Sequence, residues 1–403
     1  MRASAYPLME VADVAAAVLD RTPVLEPEEV PLGACAGRVL AEDLLAPHDL
    51  PRWPSSAVDG YAVRAADGGR PLLVVGESAA GRPLERGLGA GLAARILTGG
   101  VVPSGADAVV MVEDVRLEGD RVVVPAGIGA GANFHRPGDD LVAGEAVLRA
   151  GTQLGPAEVG LVAALGRPSV RVGRRPKVAL TSTGDELVEP GRPTAPGQIP
   201  DSNRFALAAA LVEAGAEVRV LGIAPDRPAE LEALVTEALT NADVLVTSGG
   251  VSVGTHDLVK PLLERLGEVH CGRVKLRPGK PFTFATLPGG RLAFGLPGFP
   301  VSSLVTFEVF VRPALRKMQG HARLQRPTLP VRLGYSARAG GDRTEYQRVR
   351  LHREGTELVA TGTGSQSSSR LMSLAGADAL VRVPPGAEGI AEGTLVEAVL
   401  LSL

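Results

Sequence analysis

Between residues 176 and 320 short apolar runs alternate with amphipathic segments, and no other feature constrains the fold as much. Val178–Leu180, Val218–Ile223, Val244–Val246 and Leu292–Phe294 have the length and composition of buried strands. Between them Phe205, Ala208, Ala209 and Val212 share one helical face, and Leu231, Leu234, Val235 and Ala238 share another. Pro228 stands where a first helical turn tolerates it. This alternation predicts a doubly wound α/β domain with a mostly parallel sheet. Such sheets bind ligands beyond the carboxyl ends of their strands, so the chemistry is expected there.

The rest of the chain divides around that domain. The spacing of Leu8, Val11, Val14, Ala15 and Val18 predicts an opening helix over 8–21. From Pro47 short β-like runs (72–75, 108–112, 121–124) are broken by Gly and Pro every few residues, the pattern of a β-rich domain. A helix over 156–165 follows, and beyond Pro327 alternating segments predict a small β-barrel. The expected organisation is multidomain α/β plus β. Residues 1–46 with 147–175 connect, 47–146 form a β-rich insert, 176–326 the α/β ligand-binding domain, and 327–403 a C-terminal β-barrel domain. A chain of 403 residues is long enough for these four pieces.

Composition excludes several classes. Acidic residues outnumber basic ones by 45 to 42, so no global positive field exists to hold nucleic acid. The longest apolar runs fall short of the ~18 residues of a membrane span, and no secretory leader is apparent, so a cytoplasmic protein is expected. Cys35 and Cys271 are too few for a disulfide framework. The 50 glycines and 32 prolines accompany 45% hydrophobic residues, which assigns them to turns and close approaches in a folded chain.

Two strand-to-loop junctions resemble each other: Leu180-Thr-Ser-Thr-Gly-Asp185 and Val246-Thr-Ser-Gly-Gly-Val251. Hydroxyls and bare backbone amides at strand ends suit phosphates and other oxyanions. Ser182, Gly184, Ser248, Gly249 and Gly250 are therefore candidate binding residues. Asp185, Glu186 and Asp257 follow these turns, and carboxylates beside an anion site call for a mediating cation such as Mg²⁺. In Arg273-Val-Lys-Leu-Arg-Pro-Gly-Lys280 a strand would put 273, 275 and 277 on one face, with Lys280 offered by the turn. Gly295-Leu-Pro-Gly-Phe-Pro-Val-Ser-Ser303 is a stiff loop before a helix expected from Leu304 to Met318, with Ser302 or Ser303 as its cap. In the insert, Asp59-Gly60, Thr98-Gly-Gly100 and Asp139-Asp140 read first as turns.

Other chemistries find little support. The six histidines show no ligand spacing, which argues against zinc. Gly250-Val-Ser-Val-Gly254 matches a hydrolase string, but Ser252 lies too far past its strand for a nucleophile elbow. Neither a Walker A sequence nor a dinucleotide fingerprint occurs.

Ser55–Arg64, Thr98–Met111, Arg136–Leu141, Ser182–Leu187, Ser248–Gly254, Arg277–Pro281, Gly295–Ser303 and Ser367–Leu371, taken in order, resemble the molybdopterin molybdenumtransferase family, which includes MoeA and the E domain of gephyrin. The resemblance implies insertion of molybdate into adenylylated molybdopterin with release of AMP. It implies a homodimer whose cleft lies between the α/β domain of one subunit and the insert of the other. Residues 1–46 with 147–175 then serve connection and dimerisation, and other cofactor-biosynthesis proteins become possible partners. Neither nucleic acid nor membrane is expected as a partner.

By the same resemblance, Glu186 and Asp257 match carboxylates at the nucleotide and magnesium site, and Asp226 a ligand-binding carboxylate. Asp59, Thr98 and Asp140 belong to the cleft, with both aspartates assigned catalytic roles beside Glu186 and Asp257. Arg273, Arg277 and Lys280 fall where cations hold molybdate or the pterin phosphate. Pro297, Pro300, Ser302, Arg343 and Ser368 fall at substrate-binding positions, the last three linked to molybdate. The chain departs from the family pattern at Phe299 (usually Asn), Ser55 (often Asn), Val58 (often Met), Gly376 (often Arg) and Arg277 (often Lys). A related pterin adenylyltransferase and a scaffold that keeps the fold are the competing readings. The former lacks the insert and the barrel, and the retained carboxylates disfavour the latter.

Overall fold

A computed structural model describes residues 6–224, 227–251, 258–338, 341–386 and 389–401. The chain forms two compact units: residues 1–42, 150–155 and 169–403, and residues 43–149 with 156–168.

The larger unit is built on a six-stranded sheet. Glu217–Ala224, Lys177–Thr183, Val244–Ser248 and Arg291–Leu296 lie side by side and parallel, and Pro281–Leu287 and Glu268–Arg273 complete the sheet antiparallel. Lys177–Thr183 is buried from Val178 onward, as a central parallel strand covered on both faces must be. Alternate side chains enter different cores. Val178, Leu180 and Phe294 join Leu207 and Leu211 of helix Asn203–Glu213. Ala179, Leu245 and Ala293 join Leu231 and Val235 of helix Pro228–Leu239 and Leu263 of helix Val259–Leu266. The mostly parallel, doubly wound sheet expected from the alternation is present.

The opening helix runs from Val11 to Arg21 and buries Val14 and Val18 in the first of these cores. Lys317 ties it to the last helix by donating to the Leu19 carbonyl (2.7 Å). Beyond Pro327, Thr344–Glu354, Glu357–Gly362, Thr328–Leu333, Leu395–Leu400 and Ala379–Val383 pair in a closed ring. Val331, Leu333, Val349, Val381 and Val383 fill this five-stranded barrel.

The smaller unit holds its own six-stranded sheet, in the order Ala108–Met111, Gly60–Val63, Leu92–Ile96, Pro71–Ser78, Arg121–Val123, Arg116–Glu118. Its two faces carry separate cores, one around Val63 and Val122, the other around Ile96 and Val109. Helix Pro156–Ala164 belongs to this unit. No helix among the described residues is long and apolar enough to cross a membrane. Cys35 and Cys271 are both buried free thiols, and burial pushes the Cys271 thiol up to about 11.

Candidate active site

The register of the large sheet brings the carboxyl ends of its parallel strands level. Ser182 pairs with Ser248 and Ser248 with Leu296, so the turns beginning near Gly184, Gly249 and Pro297 leave one edge side by side. Gly249 (φ 91°) and Gly250 (φ 67°) adopt left-handed backbone, and a Cβ there would stand 2.5 Å from the Thr183 carbonyl oxygen or 2.8 Å from its Oγ1, respectively. At Gly184 a Cβ would lie 2.5 Å from the Glu186 carboxylate, which is folded back against this bare backbone. Ser182, Thr183, Thr247 and Ser303 are buried, yet their hydroxyls find no hydrogen-bond partner among the described residues. Each such group costs about 1–3 kcal/mol. Unpaired hydroxyls at bare strand ends mark a place where a polar ligand supplies the missing partners.

Sequence reasoning missed the residue that locks two of these turns together. Asn203 Nδ2 donates to Ser248 Oγ (2.8 Å) and to the Gly298 carbonyl (2.7 Å). Its helix is seated by Arg204, whose buried guanidinium lies 3.0 Å from Asp201 and 2.6 Å from Glu189. The available signal was the polar Asp201-Ser-Asn-Arg204 run at the head of an apolar helix.

Two expectations are corrected at this edge. The helix read as starting at Leu304 begins at Pro300, with Phe299 as N-cap. Proline presets the first helical dihedral and needs no donor, so the helix starts there. Ser302 and Ser303 are consequently buried within the helix and do not cap it. The cationic strand is also divided. Glu268–Arg273 belongs to the α/β sheet, whereas Leu276–Arg277 pairs with Thr344–Glu345 of the barrel. The alternation persists across the break, with Val274 and Leu276 buried. Lys275 is ion-paired with Glu10, and Arg277 lies 3.8 Å from the buried Glu345. Arg273 and the exposed Lys280 form no ion pair among the described residues, which leaves their charge for an anion.

The barrel reaches this edge through Ser368, whose carbonyl accepts the Val301 amide (3.1 Å). That bond brings the Ser367–Ser369 turn to Pro300 and Ser302. Arg343 stands at the head of strand Thr344–Glu354 with Asp342 at 3.7 Å, and no hydrogen bond joins it to either serine among the described residues. Asp226, Asp257 and residues 252–254 of the hydrolase-like string lie outside the described residues. No cluster of three or more potential metal ligands occurs among those described.

The smaller unit gathers three motifs of its own. Asp59 Oδ1 accepts the amide and the hydroxyl of Thr98, both at 2.7 Å, and these bonds hold its carboxyl below the ordinary carboxylate value. Gly60 forms no turn: it opens strand Gly60–Val63, where any Cβ would overlap the Val110 carbonyl. Gly99 donates to the Ser56 carbonyl (2.8 Å), Ser56 to that of Gly100 (2.9 Å), and Ser55 pairs with His135. Leu50, Pro51, Ser55, His135, Asp139 and Asp140 then line an open pocket of about 470 Å³. Asp139 accepts the Arg136 amide (2.6 Å), and Asp140 donates its own amide to Leu50 (2.9 Å).

A multidomain α/β protein with an oxyanion-suited strand edge, a β insert and a closed barrel is a narrow class. Three family models match in succession: MoeA N-terminal region (domain I and II) over 9–166, probable molybdopterin binding domain over 179–317, and MoeA C-terminal region (domain IV) over 330–401. The chain is 41% identical to a molybdopterin molybdenumtransferase of Nostoc sp., covering 96% of this chain and 92% of that one. It is 34% identical to gephyrin of Dictyostelium discoideum, over 99% of this chain and 63% of the relative. A crystal structure of molybdopterin biosynthesis moea protein from Pyrococcus horikosii superposes with a TM-score of 0.85 at 34% identity, covering 98% of this chain and all of that one. The chain therefore belongs to the molybdopterin molybdenumtransferase (MoeA) family, and its role lies in molybdenum cofactor biosynthesis.

Proposed function

We propose that the protein inserts molybdate into the dithiolene of adenylylated molybdopterin, with cleavage of the phosphoanhydride and release of AMP. The observation that carries the reading is the level strand edge, where left-handed glycines and unpaired buried hydroxyls stand together. Bare amides and hydroxyls there suit the phosphoanhydride, and Arg273 and Lys280 suit its charge. Ser302 and Ser368, brought together by the Val301–Ser368 bond, suit a tetrahedral dianion such as molybdate. Arg343 and Arg277 are assigned to the same substrates through the family resemblance. Asp59, held ionised by Thr98, and Asp140 are assigned to the reacting groups.

Magnesium fits the donor set. The Glu186 carboxylate is exposed, a hard oxygen ligand beside the bare backbone of Gly184, and Mg²⁺ needs only one or two carboxylates beside phosphate oxygens. We assign Glu186 and Asp257 to it, where the ion would offset charge on the bridging phosphate oxygens. We further propose a homodimer in the cytoplasm, a reading supported by the family resemblance. The test supplies purified protein with adenylylated molybdopterin, Mg²⁺ and molybdate, and follows AMP. Molybdate-dependent AMP release is expected. Binding without release would contradict the assignment.

A further inference from the structure

Within the Gly295–Ser303 loop one large side chain stands open to solvent: Phe299, 60% exposed. Five other phenylalanines of the same unit, Phe282, Phe284, Phe294, Phe307 and Phe310, are buried in its first core. The backbone around Phe299, by contrast, is held on both sides. The Gly298 carbonyl accepts Asn203 Nδ2 (2.7 Å), the Phe299 carbonyl accepts the Ser303 amide (2.9 Å), and the Val301 amide donates to the Ser368 carbonyl (3.1 Å). Pro297 and Pro300 stiffen the same stretch. Two further apolar side chains, Leu371 and Met372, are exposed on the barrel turn that this last bond reaches.

A site made only for oxyanions gains nothing from open apolar surface, whereas sites for organic ligands combine a few polar groups with an apolar or aromatic face. Here both occur along one stretch of chain. Gly298 lies beside the Gly249 turn, since a Cβ on it would stand 3.9 Å from the Gly249 Cα. Ser302 lies in the first turn of the helix that Phe299 caps. Phe299 thus stands between the turn assigned to the phosphoanhydride and the serines assigned to molybdate. Molybdopterin carries its phosphate and its dithiolene on one flat ring system. A substrate that reaches both places therefore lays its rings at the residue between them. Adenine lies on the other side of the phosphates and falls outside this interval.

We propose that Phe299 is the stacking face for the pterin ring system of the substrate. This rests on the molybdate-insertion reading given above and names how the organic body of that substrate is held. An aromatic ring on a fixed backbone stacks on another π-face in offset geometry at little conformational cost. Met372, whose thioether suits a ring edge, stands on the barrel side of the Val301–Ser368 bond. The phenyl ring offers no hydrogen bond, so it reads the flatness of the ligand and leaves its charge to Arg273 and Lys280.

The test uses full-length Phe299→Ala, Phe299→Leu and Phe299→Trp, and measures equilibrium binding of metal-free molybdopterin, adenylylated molybdopterin and AMP separately. Loss of one stacked ring predicts roughly tenfold weaker binding of both pterin ligands to Phe299→Ala, with AMP within about twofold of wild type. Phe299→Leu, apolar but without a π-face, is expected to follow Phe299→Ala, and Phe299→Trp to bind at least as tightly as wild type. All three are expected to fold, because the side chain is exposed and the cap bond to Ser303 comes from the backbone. Unchanged pterin binding by Phe299→Ala, or an effect confined to dimerisation in sedimentation, would overturn the proposal alone. So would wild-type pterin binding by Phe299→Leu, or a loss of AMP equal to that of the pterins. AMP release by the wild type without molybdate would overturn the reading beneath it.

Discussion

The strand edge of the α/β domain and the insert both collect candidate site residues, but they do so by opposite means. At the edge the work falls to groups with little or no side chain: left-handed Gly249 and Gly250, the bare Gly184, and hydroxyls buried without partners. In the insert it falls to exposed carboxylates whose every bond comes from the surrounding backbone and from Thr98. The first arrangement is, on the reading proposed above, suited to an anion, since its buried hydroxyls stand without partners among the described residues. The second keeps a negative charge in place, since both donors of Thr98 favour the ionised form of Asp59. Glycine likewise meets a different demand in each region: Gly249 takes up a left-handed turn against the Thr183 carbonyl, Gly60 an extended strand against that of Val110.

The sharpest way to break that contrast is to add one methyl group to each glycine. Gly60→Ala forces Gly60–Val63 away from Val110 and should destabilise the insert by ~2–4 kcal/mol, read by thermal unfolding. Gly249→Ala should cost ~1–3 kcal/mol of backbone strain, with loss of nucleotide-pterin binding as its larger effect, read by calorimetry. If both behave alike, the contrast fails. Asp59→Asn keeps shape and removes charge. AMP release should fall by ~10²–10⁴-fold if the carboxylate acts on the reacting groups, with folding unchanged in circular dichroism.

Asn203→Ala removes the bonds to Ser248 and Gly298 and should weaken adenylylated molybdopterin about tenfold in equilibrium binding. A control lies outside both regions. Burial and the neighbouring Arg316 and Arg312 push the His321 imidazole from 6.5 down to about 3. A folded value below the unfolded one means that stability is complete above about pH 6.5 and lost as pH falls toward 3, by at most one proton's slope. His321→Gln should flatten urea-derived stability across that window. Phe299→Asn should change stability least: the side chain is 60% exposed and its cap function is a backbone carbonyl, so stability should stay within ~0.5 kcal/mol.

How much of this was legible follows from range. The parallel strands were readable because apolar period is local, and Ser182 and Ser248 fell at their ends for the same reason, but of the first helix the wrong face was read: Leu207 and Leu211 are buried, Phe205 and Val212 exposed. Asn203 was not, because its partners lie 45 and 95 residues away and only the folded register unites them. Arg348 read as one more residue of an alternating strand. Nothing nearby announces that it is buried and donates to Ser373 Oγ. The divided cationic strand was hidden likewise, since its second half pairs with Thr344–Glu345. The helix start at Pro300 was visible in principle, but serines before an apolar run imitate caps.

The contrast between receiving an anion and keeping a charge comes down to one paired measurement. Adenylylated molybdopterin binding and molybdate-dependent AMP release are determined on the same preparations of Asn203→Ala and Asp59→Asn. The account predicts that Asn203→Ala loses binding, while Asp59→Asn binds as wild type and no longer turns over. Equal loss of binding in the two would contradict it.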